Sequence, residues 1–437
     1  MTTISKLRDS LGNTPSSRDA VATYEGSVMA ATSPLEDIRI EVADAARFAS
    51  IVDAWMSLAA RTGIPNVFMD PAAALAVAEA WPRPVKILLG WGETGERDTS
   101  PRLIGVWMLI EGRPRLAWPY RALVSPTCSL AYLGTPVLDP DHARTVLAAM
   151  FARIRETPGL PKLLQAGDMS DNAPLMGALK SALAEGSGAW ASVERRTRAK
   201  LATQLDPKLY WANSMSARGR QGFARKRRQL AKLGRLEFSS VDEPDAVRAG
   251  LEEFLVLEAS GWKAARQSAL ASDTATARFT RRMVSGLAAR RLAAIQSLRL
   301  DGQPVAMWII LYSGSGAFTW RTAYDENYRR FSPGVLILED STEHLLSNPL
   351  VASTDSCNHR DTGYQAERWA ERHDVVDLLI DVGPARPLRL ALLASRERAF
   401  RRCKDMARHG YHLVCRIKAG LTSRLRGQGA QASGGGE

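Results

Sequence analysis

Long apolar runs are missing from this sequence. No stretch of about 18 or more apolar residues occurs, so no segment is expected to cross a membrane as a helix. Cysteine is scarce: Cys128, Cys357, Cys403 and Cys415 are too few and too scattered for a disulfide framework. The opening residues, MTTISKLRDSLGNTPSSRD, hold no apolar signal-peptide core. No Walker-type phosphate loop is present, which removes the commonest nucleoside-triphosphate signature. These absences together point to a cytoplasmic protein.

What is present suits a globular chain. Of 437 residues, 45% are hydrophobic and 24% charged, enough apolar content to bury real cores and exclude wholesale disorder. At roughly 150 residues per domain the length implies two or three domains. The net charge of +12 is unevenly placed. Between Arg195 and Arg235 thirteen basic residues face one acid, Asp206, and between Arg386 and Arg426 twelve face Glu397 and Asp405. Such segments can hold phosphates, nucleic acid or an anionic membrane surface. The basic stretch GRQGFARKRRQLAKLGR also carries Phe223, Leu230 and Leu233, which fits an amphipathic helix packed on one side and solvated on the other.

Two regions resemble one another. Residues 103–118 and 304–320 each contain a β-type run centred on a tryptophan (Trp107, Trp308), a glycine turn, and a second tryptophan (Trp118, Trp320) eleven or twelve positions later. Asp301-Gly302 marks a two-residue hairpin before the second copy. Helical patterns flank both copies and alternate with strand-like KLLQA and VVDLLID. The pattern predicts an α/β protein of two related domains, each a mixed central sheet flanked by helices. The boundaries fall at a disordered leader (1–34), a first domain (35–200), a second (201–385), a basic helical extension (386–425) and a flexible tail (426–437).

Phe331-Ser332-Pro333-Gly334-Val335 lies between the strand GAFTWRTAY and the helix VLILEDSTEHLL. Ser332 is a suitable N-cap, and Pro333 suits the first helical position. Gly334 would let a ligand approach the backbone. A helix start directly after a strand exposes N–H groups and the positive end of a dipole, which suits a pyrophosphate. The plain alternative is a well-capped helix. Asp355, Cys357, His359 and Asp361 alternate as they would along one face of a strand, but no second Cys/His pair has finger-like spacing, and no metal is expected. No histidine has an aspartate five residues on, against the HxxxxD acyltransferases.

Several motifs in order then resemble one family. Glu258-x-x-Gly261-Trp262-Lys263, running on to Ser268-Ala269-Leu270, resembles the E-x-x-G-W-K…S/T-A-L segment of the CelD-like branch of the GNAT acyltransferase superfamily. Pro65-Asn66-Val67-Phe68 with Trp81 resembles that branch's amino-terminal element. Ser216 to Leu230 is similar to its serine- and arginine-rich segment, FSPG to its phosphate-loop motif, and Asp355 to Trp369 to its late element. Gln365 stands where the family usually has lysine, and Arg360-Asp361 where it has Gly-Asp. The resemblance spans about residues 40 to 385. The branch is similar to the Fem-type aminoacyl transferases, which carry two GNAT-like domains in tandem.

The resemblance implies acyl transfer from acetyl-CoA or another acyl-CoA to an amine or hydroxyl, such as a sugar in envelope, exopolysaccharide or cellulose assembly. Ser332, Pro333, Gly334, Val335 and Leu336 would form the phosphate cradle. Trp320 to Tyr324 would lie along the pantetheine arm, with Tyr324 protonating the departing thiolate. Glu258 and Asp355 are the candidate bases, each with the alternative of a surface or capping carboxylate. Trp262, Lys263 and Ser268 would line the acceptor side. The first domain, lacking an FSPG-like turn after Trp118, would be structural or acceptor-binding. Two rivals stand beside this: a Fem-like transferase using charged transfer RNA, and a non-catalytic accessory protein of a polysaccharide synthase. In each, the basic segments would meet transfer RNA or an anionic inner membrane face.

Overall fold

The computed structural model describes residues 35–81, 83–94, 101–126, 130–261, 269–384, 386, 388–404 and 406–407. The leader (1–34), the tail (426–437) and half of the basic extension (386–425) lie outside them.

The first half of the chain runs β1 (Leu35–Ala43), α1 (Ala45–Ala49), α2 (Val52–Arg61), α3 (Pro71–Ala80), β2 (Val85–Thr94), β3 (Arg102–Gly112), β4 (Ala122–Val124), β5 (Val137–Leu138), α4 (Ala143–Glu156), β6 (Leu163–Ser170), α5 (Ala173–Glu185) and β7 (Ala189–Leu201). The second runs α6 (Pro207–Ser214), α7 (Ala217–Ala231), β8 (Leu236–Val241), α8 (Pro244–Ser260), α9 (Thr274–Ala288), β9 (Ala293–Leu300), β10 (Gln303–Ser313), β11 (Gly316–Tyr324), α10 (Pro333–Leu346), β12 (Ser353–Asp355) and β13 (Glu371–Asp381). The hairpin at Asp301-Gly302 forms as the sequence implies. Both residues have positive φ (49° and 81°), the geometry a twisted two-residue hairpin requires.

All thirteen strands join one sheet in the order β1-β2-β3-β4-β6-β13-β7-β12-β11-β10-β9-β8, with β5 on β3. Outward from the central β13–β7 pair, the two wings repeat one another. Each has a single parallel pairing, β4 with β6 and β11 with β12, and its other neighbours are antiparallel. Trp107 on β3 and Trp308 on β10 occupy corresponding strands, and both are buried. The second tryptophans do not correspond. Trp320 is buried on β11, whereas Trp118 follows a short 3-10 turn and is 62% exposed, because a proline-containing connection replaces the strand there.

The halves exchange their last strands. β7 ends the first half and pairs with β12 of the second, while β13 ends the second and pairs with β6 of the first. A division between residues 200 and 201 therefore cuts the chain but not the sheet. The helices seal the same junction: α3 packs on α9, where a Cβ added at Gly286 would sit 2.8 Å from the Ala72 Cβ. Asp70 accepts from Trp55 Nε1 (2.8 Å) and pairs with Arg290 from the other half. One core runs across both halves, from Trp55, Phe68 and Trp107 to Phe254, Phe279 and Phe318; a second, around Trp211, Trp308, Leu336 and Trp369, is built by the second half and the end of β7.

Candidate active site

The site grows from a gap in the sheet. β11 and β12 pair over three residues only, Gly316–Phe318 against Ser353–Asp355. Past Asp355 the chain turns away through Cys357, whose φ is +54°, so the alternating polar residues do not continue as a strand. β11 runs on to Tyr324 paired with β10 and no longer with β12. At the mouth of the gap Thr319 Oγ1 donates to the Asp355 carbonyl (3.2 Å) and Gln365 Nε2 donates to Thr319 Oγ1 (2.6 Å). Gln365, a departure from the family pattern, is thus a buried strut.

Beyond the strut, Thr322, Ala323 and Tyr324 line a cavity of about 160 Å³ with Leu257, Glu258 and Gly261 from the end of α8, and Tyr364. Glu258 is 3% exposed, and its Oε2 accepts from the Leu270 N–H at 2.7 Å. Its position follows from α8's pattern: Val247, Leu251, Phe254 and Leu255 bury one face, and Glu258 falls on the same face one turn later. Tyr324 and Tyr364 hydrogen-bond to one another. Burial, and then the Tyr324 hydroxyl, raise Tyr364 above the usual tyrosine value. A smaller cavity of about 90 Å³ shares both tyrosines and is also lined by Arg329, Ser332, Pro333, Gly334 and Val335.

The cradle differs from its sequence reading. A 3-10 helix (Glu326–Phe331) separates β11 from α10, so the helix does not start directly after the strand. Ser332 is not a side-chain cap: its backbone is left-handed (φ 55°), and its hydroxyl accepts from Lys226 Nζ at 2.7 Å instead. Its carbonyl takes the N–H groups of Val335 (2.9 Å) and Leu336 (3.2 Å), which removes both as phosphate donors. Pro333, at the first helical position as expected, has no N–H. Gly334 keeps the turn's remaining N–H, beneath the rings of Tyr324 and Tyr364 at 3.5 and 3.6 Å from its would-be Cβ. Lys226 and Arg329 supply positive charge.

Glu258 and Tyr324 share one cavity; Asp355 lies elsewhere. Its buried carboxylate accepts from Arg198 Nη2 (2.7 Å), Arg198 Nε (3.1 Å) and the Cys357 N–H (2.8 Å), and contacts His373 Nδ1 (2.8 Å). Burial alone would raise its pKa, but the Arg198 guanidinium and the His373 bond outweigh it and hold the carboxyl well below the usual range. A carboxylate so firmly charged is a weak proton acceptor, which tells against Asp355 as a base. Trp262, Lys263 and Ser268 lie outside the described residues, although Gly261 and Leu270 on either side of that segment both meet Glu258's surroundings.

The first basic stretch is not a uniform surface. On β7 Arg198 is buried and Arg196 half-buried, in ion pairs with Asp355 and with Asp168 and Asp377 respectively. On α7, Phe223 and Leu230 are buried as the amphipathic reading requires, but Leu233 beyond its end is exposed. Sequence reasoning missed Lys226, Tyr364, Arg198 and His373. Tyr364 stood within the quoted late element, and Lys226 and Arg198 within the basic stretch Arg195–Arg235; His373 carried no local signal.

Residues 217–356 match the family model described as an acetyltransferase (GNAT) domain. This is a tandem GNAT fold. The matched GNAT segment runs from α7 to just past β12 and so contains both sides of the β11–β12 gap, Glu258 and the Ser332–Gly334 turn. Over the longer chain, the crystal structure of FemX is similar at 11% identity, covering 78% of this chain and 96% of that one with a TM-score of 0.52. The C-terminal domain of a putative lysylphosphatidylglycerol synthetase from Agrobacterium fabrum is 16% identical over 79% of this chain and 94% of that one, with a TM-score of 0.44. No curated protein sequence matches. Among the described residues no helix is long and apolar enough to cross a membrane, and no cluster of three or more His, Cys, Asp or Glu side chains could hold a metal ion.

Proposed function

We propose that the second half transfers an acyl group from an acyl-CoA thioester to an amine or hydroxyl acceptor. What supports the reading is that Glu258 and Tyr324, base and acid by their chemistry, line one cavity in the open gap of the GNAT segment. The thioester supplies the activated acyl carbon. Glu258, oriented by the Leu270 N–H, takes the acceptor's proton as the C–N or C–O bond forms. Tyr324, bonded to Tyr364, gives a proton to the sulfur as the C–S bond breaks. Lys226, Arg329 and the Gly334 N–H are the groups for the phosphates, a fit that requires the Tyr364 ring, 40% exposed, to swing aside. Trp262, Lys263 and Ser268 belong on the acceptor side. The ordered motifs favour a sugar acceptor in envelope or exopolysaccharide assembly, with a polysaccharide synthase complex as partner.

One observation favours a second reading. Gly334 is buried beneath two tyrosine rings, as in a GNAT-fold accessory protein without catalysis. Titration of the purified protein with acetyl-CoA and, separately, with charged transfer RNA across a salt series tests both. Saturable thioester binding is the expected result. Steeply salt-dependent RNA binding without thioester binding would replace the reading by a Fem-like one, and binding of neither would leave the accessory role.

A further inference from the structure

The strand exchange at the centre of the sheet brings together three side chains far apart in sequence. Ser170 ends β6, His373 lies near the start of β13, and Asp355 ends β12. His373 Nε2 stands 3.0 Å from Ser170 Oγ, and its Nδ1 stands 2.8 Å from Asp355 Oδ2. Both separations fall within the reach of a nucleophile, its base and the group that orients the base. The register explains the meeting: Val375 of β13 pairs with Ser170, so His373 lies two residues further along the same strand.

The proton positions follow from charge. Asp355, ion-paired with Arg198, is a carboxylate and can only accept. His373 therefore donates from Nδ1 to Asp355, which leaves the Nε2 lone pair to accept from the Ser170 hydroxyl. The Ser170 backbone is fixed as well, its N–H donating to Thr135 Oγ1 at 2.7 Å.

These residues open onto a cavity of about 400 Å³ that shares no lining residue with the Glu258 cavity. Asn172, the N-cap of α5, is in its wall, so the positive end of a 13-residue helix begins two positions after Ser170. Lys200 also lines it and makes no ion pair with a described residue. Both features suit a developing oxyanion. The remaining wall mixes polar residues and glycine, among them Asp171, Asp374 and Gly316, with Ile64, Leu133 and Phe318, and its volume suits a short acyl group over a long hydrocarbon chain.

We propose that Ser170, His373 and Asp355 form a second, hydrolytic site acting on short acyl esters. The Ser170 oxygen bonds to the acyl carbon while its proton passes to His373 Nε2. The ester C–O bond breaks and the alcohol leaves with that proton. Water, deprotonated by His373, then cleaves the acyl-serine to the free acid and restores the hydroxyl. Water is the sole co-reactant. The site is distinct from the acyl-CoA reading and does not depend on it.

The test is to treat the full chain with diisopropyl fluorophosphate, map the adduct by peptide mass, and follow hydrolysis of 4-nitrophenyl acetate. The expected result is a single adduct on Ser170, and hydrolysis that falls at least about 100-fold in Ser170→Ala while the melting temperature is kept. His373→Gln, which retains a side-chain amide of similar reach, should slow labelling by a similar factor. An unlabelled wild type, or hydrolysis equal in wild type and Ser170→Ala, would overturn the proposal and leave the three residues a structural hydrogen-bond chain. Neither probe contains coenzyme A, so this outcome is independent of thioester binding.

Discussion

Glu258 and Asp355 are both buried carboxylates, yet their partners set them to different work. Glu258 accepts from the Leu270 backbone N–H and lines a cavity with Tyr324. Glu258→Gln keeps an acceptor for the Leu270 N–H but cannot take a proton, so acyl transfer should fall roughly 10²–10⁴-fold in kcat with donor binding unchanged, read by steady-state kinetics. Asp355 faces a guanidinium. Its depressed pKa means that it stabilises the fold above the unfolded carboxyl value of about 4, and that this contribution is lost as pH falls further. Asp355→Asn should therefore be less stable than wild type by a steady margin from about pH 8 to about pH 5, and the gap should close below about pH 4 in denaturant titrations. Arg198→Met, which strands the carboxylate, should cost about 3–5 kcal/mol at neutral pH. From sequence the two acids looked alike, because the Arg198 partner lies 157 residues away and local spacing carries no record of it.

Among the elements, those with strong periodicity or turn chemistry were legible. The Asp301-Gly302 hairpin, the KLLQA strand (β6) and the VVDLLID strand (β13) all form where pattern places them, because their signals come from residues only a few positions apart. The start of α10 was legible in position but not in detail. A serine before a proline reads as a cap, yet the tertiary bond from Lys226 and the left-handed backbone override that local preference. The α3–α9 contact had no sequence signature beyond small residues. It yields a direct test: Gly286→Leu places a branched side chain where even a Cβ meets Ala72 at 2.8 Å. Thermal unfolding should show a loss of about 1–3 kcal/mol, while Gly177→Ala on α5, where a Cβ meets nothing within 4 Å, should be silent or slightly stabilising.

At the scale of the whole molecule, the tryptophan repeat pointed to the tandem halves but not to their exchange of β7 and β13. That exchange depends on which strands pair, and pairing across 181 residues, as between Arg196 and Asp377, leaves no local trace. The consequence is cooperative. Residues 35–201 alone would lack β13, and residues 202–384 alone would lack β7, leaving β6 and β12 with open edges. Each fragment should therefore aggregate or remain unfolded when expressed alone, whereas the two mixed should regain the circular dichroism of the whole chain. The basic balance also changes meaning at this scale, since Arg196 and Arg198 are taken up in ion pairs at the centre of the sheet.

The central claim, that the α10 start beside Glu258 and Tyr324 receives an acyl-CoA, is tested most directly by calorimetric titration of wild type and Gly334→Asp with acetyl-CoA. A carboxylate at this helix start favours the helix dipole but opposes a phosphate; because it enters beneath the Tyr324 and Tyr364 rings, thermal unfolding of the variant is followed beside its binding. Saturable binding by wild type and its loss in a variant that still unfolds cooperatively are expected. Equal binding by both proteins, or none by wild type, would contradict the claim.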